Sequence, residues 1–157
     1  MNVINNVTYD VRDSEGRLIN SFTEENTDVA CGRSNCAARL GDVTGAFFSE
    51  SNKPVNFIAL TSDNTAINDA DTGFGIVTFK IASATAKSLI LFTTTEDTLR
   101  VVATINNSGA DYTVNKAGLF YTATNPQLVG LVCAQLVASF TLPASGSVTI
   151  TWDVRFT

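Results

Sequence analysis

The last ten residues constrain the fold more than any other stretch. Val148, Ile150, Trp152, Val154 and Phe156 alternate with Thr149, Thr151, Asp153, Arg155 and Thr157. A period of two means a strand with one buried face, because on a helix these five apolar side chains would spread around the circumference. Val7, Tyr9 and Val11 alternate with Thr8, Asp10 and Arg12 in the same way. The Ser14-Glu15-Gly16 turn then leads to Leu18 to Phe22, so residues 3–22 predict a hairpin. Further strands are expected at Val55 to Leu60, Phe74 to Ile81, Leu89 to Thr94, Leu99 to Ile105, Gly118 to Tyr121 and Leu128 to Leu142. Thr95-Glu96-Asp97 and Pro143 to Gly146 read as turns. Thr occurs 21 times in 157 residues, which favours strands over helices. About eight short strands without a helical pattern predict an all-β fold, an antiparallel β-sandwich or barrel.

The chain has no repeat, no Pro-rich linker and no block of like charge, so residues 1–157 read as a single domain. The weakly patterned stretch is Val29 to Phe48. Asn35 to Leu40 could hold one helical turn, but Gly32, Gly41 and Gly45 interrupt it, so residues 29–48 read as a long loop. Loops of that length commonly make contacts. Cys31 and Cys36 lie close together and Cys133 is remote. Three cysteines rule out a complete disulfide framework. The pair can be free thiols or a local bridge, and Cys133 reads as a small core residue.

Composition narrows function by exclusion. There is no His, which removes His-based acid–base catalysis, the Ser-His-Asp triad and every His-containing metal site. Net charge is −5, and the ten basic residues are scattered. A nucleic-acid surface would need them clustered. No apolar run is long enough to span a bilayer. The first six residues lack the pattern of a secretory signal, so a chain made in the cytosol that stays there, or leaves without a signal, is expected.

Individual motifs point the same way. Asp63, Asp69 and Asp71 are close in sequence but lack EF-hand order, so they read as a solvated turn. Glu24-Glu25 and Glu96-Asp97 are adjacent pairs, which point apart on a strand and cannot face each other across a cleft. No phosphate-binding glycine loop and no nucleophile elbow occurs. No cofactor, metal site or catalytic residue is expected, and the chain does not read as an enzyme. Trp152 reads as core. Phe47-Phe48 cannot both face inward on one strand, which makes them candidates for a partner surface.

Two stretches resemble a known family. The first is Asn56-Phe57-Ile58-Ala59-Leu60-Thr61-Ser62-Asp63-Asn64-Thr65-Ala66, followed by Asp69-Ala70-Asp71-Thr72. The second is Val114-Asn115-Lys116-Ala117-Gly118-Leu119-Phe120-Tyr121, followed by Leu128-Val129, Phe140-Thr141-Leu142 and the closing strand Thr149 to Phe156. In order and spacing they resemble a family of tailed-bacteriophage virion proteins over residues 55–157. The chain departs from the family pattern at Thr61, where a Gly is usual, and at Lys116, where an acidic residue is usual. The resemblance implies a jelly-roll-like β-sandwich and a structural part of a virion, because fold alone does not choose the place.

The expected function is a capsid decoration (cement) protein on the outside of a phage head. Its partners would be the major capsid protein and itself, as a homotrimer, with no nucleic acid and no membrane. A tail, collar or baseplate component is the alternative, and only there would a host surface glycan be bound. A carbohydrate-binding jelly-roll module is a second alternative. Residues 1–6, with Met1, Asn2, Val3 and Ile4, are expected as an arm along a neighbour. Arg33, Arg39, Phe47 and Phe48 in residues 29–48 are the expected contact loop.

Overall fold

The computed structural model describes residues 3–28, 54–68, 70–75, 78–91, 96–126 and 129–156. Every regular element among them is a strand: β1 (Val3–Arg12), β2 (Leu18–Asp28), β3 (Phe57–Thr61), β4 (Lys80–Ser83), β5 (Ala86–Leu91), β6 (Glu96–Asn106), β7 (Tyr112–Phe120), β8 (Leu131–Leu142) and β9 (Ser147–Phe156). All pairings are antiparallel, and two sheets pack face to face as a β-sandwich. Sheet A has the order β2-β1-β9-β6-β5 and sheet B the order β4-β3-β7-β8. Hairpins alternate between the sheets along the chain.

Alternation explains sheet A directly. Register sets Val7 beside Trp152 and Trp152 beside Val101, then Tyr9, Ile150 and Ala103, then Val11, Val148 and Ile105. All nine are buried. The opposite face is polar. Thr8 and Thr23 hydroxyls meet at 2.7 Å and Thr104 and Thr149 at 3.0 Å. Arg100 grips Asp153 with two bonds of 2.7 Å, which raises the Arg100 pKa further. The abundant Thr thus forms cross-strand pairs on this outer face.

The sheets meet at two places. β2 starts in sheet A beside β1 and ends beside β8, pairing Thr27 with Ala134 and Asp28 with Cys133. At the other side, β4 turns into β5 through Ala84 and Thr85. The Ala84 N–H donates to the O of Asn56, just before β3 of sheet B, and the Thr85 N–H donates to Val102 O in sheet A, both at 2.7 Å.

Three expectations are corrected. Phe74 to Ile81 is not one strand: among its described residues pairing begins at Lys80, where β4 starts, and Phe74 turns inward ahead of Gly75 (φ 74°). Glu96 and Asp97 open β6 instead of lying in a turn, as Glu96 pairs with Leu91. β7 starts at Tyr112, well before the expected Gly118.

Candidate functional site

The two stretches that carry the family resemblance are adjacent strands. Phe57 pairs with Phe120, Ile58 with Leu119, Ala59 with Gly118, Leu60 with Ala117 and Thr61 with Lys116. One face of this pair looks into the sandwich. Ile58, Leu60, Ala117 and Leu119 lie there, with Gln135 on the neighbouring strand reaching Tyr9 of sheet A. The other face carries Ala59, Gly118, Phe120 and Lys116, yet it is buried too. Residues 62–68 and 70–75 fold back over it as a cover.

Two contacts pin the cover. Phe74 packs edge-on against Phe120 with ring centroids 5.0 Å apart. A Cβ at Gly118 would stand 2.7 Å from Phe120 and 2.8 Å from Phe74 and Leu131, so only glycine admits these side chains so closely. Main-chain bonds hold the ends, from Phe74 N–H to Pro126 O and from Leu131 N–H to Thr72 O, both 3.0 Å. The second contact is an ion pair. Lys116 Nζ donates to Asp63 Oδ2 at 2.5 Å and to Thr65 Oγ1 at 3.0 Å. The two charged side chains are 4% and 9% exposed. Burial pushes the Asp63 pKa up, but hydrogen bonds from Lys116 and Thr65 outweigh it and hold the carboxyl below its ordinary value. Asp63 is therefore a buried charge and not a solvated turn residue. An Asx turn does form there, since Asp63 Oδ1 accepts from Thr65 N–H at 3.2 Å.

A second feature lies where β2 leaves β8. The Tyr9 hydroxyl donates to Gln135 Oε1 at 2.9 Å. Gln135 Nε2 donates to Glu25 O at 2.8 Å and to Glu24 Oε2 at 3.2 Å, and Ala138 N–H donates to Glu24 Oε1 at 2.9 Å. Side chains thus supply the rungs that the main chains lose as they diverge. Burial raises the Tyr9 pKa well above its usual range, and the Glu24 charge adds to this. Beyond these bonds a groove of about 260 Å³ opens, lined by Phe22, Glu24, Ala138 and Phe140 among others. Of its aromatic residues, Phe22 stacks on Tyr9 with centroids 4.9 Å apart, and Phe140 meets Phe22 edge-on at 5.4 Å and Tyr9 at a tilt at 5.7 Å.

The expected contact residues are not brought together. Val3 and Ile4 open β1 and pair with Phe156 and Arg155 of the same chain, so their backbone is not a free arm. Met1, Asn2, Arg33, Arg39, Phe47 and Phe48 lie outside the described residues, as do Cys31 and Cys36. Cys133 and Trp152 are core, 3% and 0% exposed. Among the described residues no group of three metal-ligating side chains occurs. Sequence reasoning missed the Lys116–Asp63 and Gln135–Glu24 contacts, whose partners lie 53 and 111 positions apart. The departure at Lys116 was the one signal available. Comparison with protein-family models, curated proteins and solved structures gives no match.

Proposed function

We propose that this chain is a structural virion protein, a capsid decoration protein that binds the outside of a phage head and stabilises it. The observation that carries this reading is the pairing of the two resembling stretches. β3 and β7 stand in register from Phe57 with Phe120 to Thr61 with Lys116, and the cover after β3 closes over both. The stretches on which the resemblance rests thus form one packed unit. The rest of the molecule suits the role. A sandwich with a hydroxyl-lined outer face is a rigid tile, and many copies of a modest interface on a fixed lattice add up by avidity. Its partners are the major capsid protein and further copies of itself, in the trimer that the resemblance implies.

The test is the copy number of the chain in purified particles of the phage that encodes it, by quantitative mass spectrometry. A fixed ratio to the major capsid protein is expected. A handful per particle would move the chain to the tail, collar or baseplate. Absence from the particle would overturn both virion readings and make glycan binding the next measurement.

A further inference from the structure

The divergence of β2 from β8 builds the groove between them. Main-chain pairing of the two strands is confined to Thr27 with Ala134 and Asp28 with Cys133. Gln135 and Glu24 bridge the widening gap with side chains. Past them the strands part. Asn20, Phe22 and Glu24 stand on the β2 side of the opening, and Ala138, Ser139 and Phe140 on the β8 side. At about 260 Å³ the groove is smaller than the roughly 300 Å³ at which sites for whole small molecules begin. It has room for one long side chain.

Its chemistry is one-sided. Glu24 is the charged residue of the lining, and it is half-buried. Its two carboxylate oxygens accept from neutral donors, Ala138 N–H at 2.9 Å and Gln135 Nε2 at 3.2 Å. Those bonds hold the carboxylate in place and leave its charge uncancelled. No Lys or Arg among the described residues pairs with it. Next to the effect of burial, that charge also raises the pKa of Tyr9. Each carboxylate oxygen keeps a second lone pair, and the exposed Asn20 amide and Ser139 hydroxyl add two further acceptors. Phe22 and Phe140 supply ring surface. Phe22 is stacked on Tyr9 and met edge-on by Phe140, so packing fixes both rings. A side chain with an apolar stem and a cationic tip matches this lining. The stem would lie on Phe22, Ala138 and Phe140, and the tip would reach Glu24, Asn20 and Ser139. Arginine suits it better than lysine. Its guanidinium is planar and weakly hydrated, stacks on aromatic rings and presents several donors in a fixed fork.

We propose that this groove is a docking site for an arginine side chain presented by a partner protein. Charge complementarity selects the occupant, because the anion in the groove has no counter-charge among the described residues. Such a site goes beyond the virion reading and does not rest on it, since it needs only the groove.

Nuclear magnetic resonance of the isotope-labelled chain tests the site. The probe is the peptide acetyl-Gly-Arg-Gly-amide, and the control is the same peptide with citrulline in place of arginine. Citrulline keeps the shape of arginine and lacks its charge. The arginine peptide should shift the amide signals of residues 20–24 and 138–140 saturably, and the citrulline peptide should bind about tenfold more weakly or not at all. Glu24→Gln removes the charge and keeps an acceptor, so it should weaken the arginine peptide on the order of tenfold. Asn20→Asp adds a carboxylate at an exposed position and should tighten it, a gain that a folding defect cannot mimic. No saturable shift at these amides overturns the proposal. So do equal shifts with both peptides, or arginine binding that neither substitution changes. Copy number in particles does not depend on these results, so this site and the virion reading fail separately.

Discussion

Lys116 and Asp63 are taken out of water together, and each is tolerable only because the other is present. Removing one leaves a buried charge without compensation. Lys116→Met and Asp63→Asn are each expected to cost about 3–5 kcal/mol, read as a fall in the urea midpoint at unchanged slope. The double variant Lys116→Met/Asp63→Leu should recover most of that loss, because an apolar pair carries no desolvation penalty. The pH dependence follows from the direction of the shift. The folded-state pKa of Asp63 is lowered, so its contribution is complete above roughly pH 4, the unfolded value. It is lost as pH falls through the lower folded value. Wild-type stability should therefore drop in acid more steeply than that of the double variant. A steeper acid limb in the double variant would show that other carboxylates carry the effect. None of this was legible at Asp63, whose neighbours in sequence read as a polar turn. The partner that changes its character sits on another strand.

At the scale of elements, strands with one wet face were legible and strands buried on both faces were not. β1 and β9 alternate cleanly because sheet A has an inner apolar face and an outer hydroxyl face. β7 carries Lys116 through Phe120 buried without interruption, since the sandwich lies on one side and the cover on the other. Alternation disappears there and leaves only an apolar run from Gly118, while the start of β7 at Tyr112 to Asn115 is mostly part-exposed or exposed and carries no apolar run to mark it. The expected strand at Phe74 to Ile81 failed for the converse reason: its first aromatic serves the cover and not a sheet. Divergence of β2 from β8 was also invisible, because it depends on Gln135 reaching Tyr9, Glu24 and Glu25 at once. Gln135→Leu removes the acceptor of a buried Tyr hydroxyl and the donor to Glu24. A loss of about 1–3 kcal/mol is expected by chemical denaturation. Tyr9→Phe should then cost less in the Gln135→Leu background than in the wild type. Additive losses would mean that the Tyr9 to Gln135 bond contributes nothing of its own.

For the whole molecule, fold class was legible because alternation is a local property, whereas strand order is not. Nothing near β2 in sequence announces that it leaves β1 for β8, and nothing near β3 announces that β7 lies beside it. The family resemblance supplied the two stretches but not their pairing. The expected contact stretch of residues 29–48 lies outside the described residues, so the candidate site grew from other elements. What the fold adds is a division of labour: sheet A stands on the sandwich core, while the outer face of sheet B stands on residues 62–68 and 70–75. Among the described residues, Phe74, the Asp63–Lys116 pair and the partly buried Ile67 anchor that cover by side chains, few enough that it should be able to open without the sandwich unfolding. Phe74→Ala removes one anchor and leaves a cavity over Gly118. Hydrogen exchange should then speed up at amides of residues 62–75 and along β3 and β7. Amides in the centre of β1 and β9 should keep wild-type protection. If exchange rises equally in both sheets, cover and sandwich open as one unit. In that case the buried ion pair stabilises the whole fold and not the cover alone, and the acid loss expected at Asp63 should appear as global unfolding.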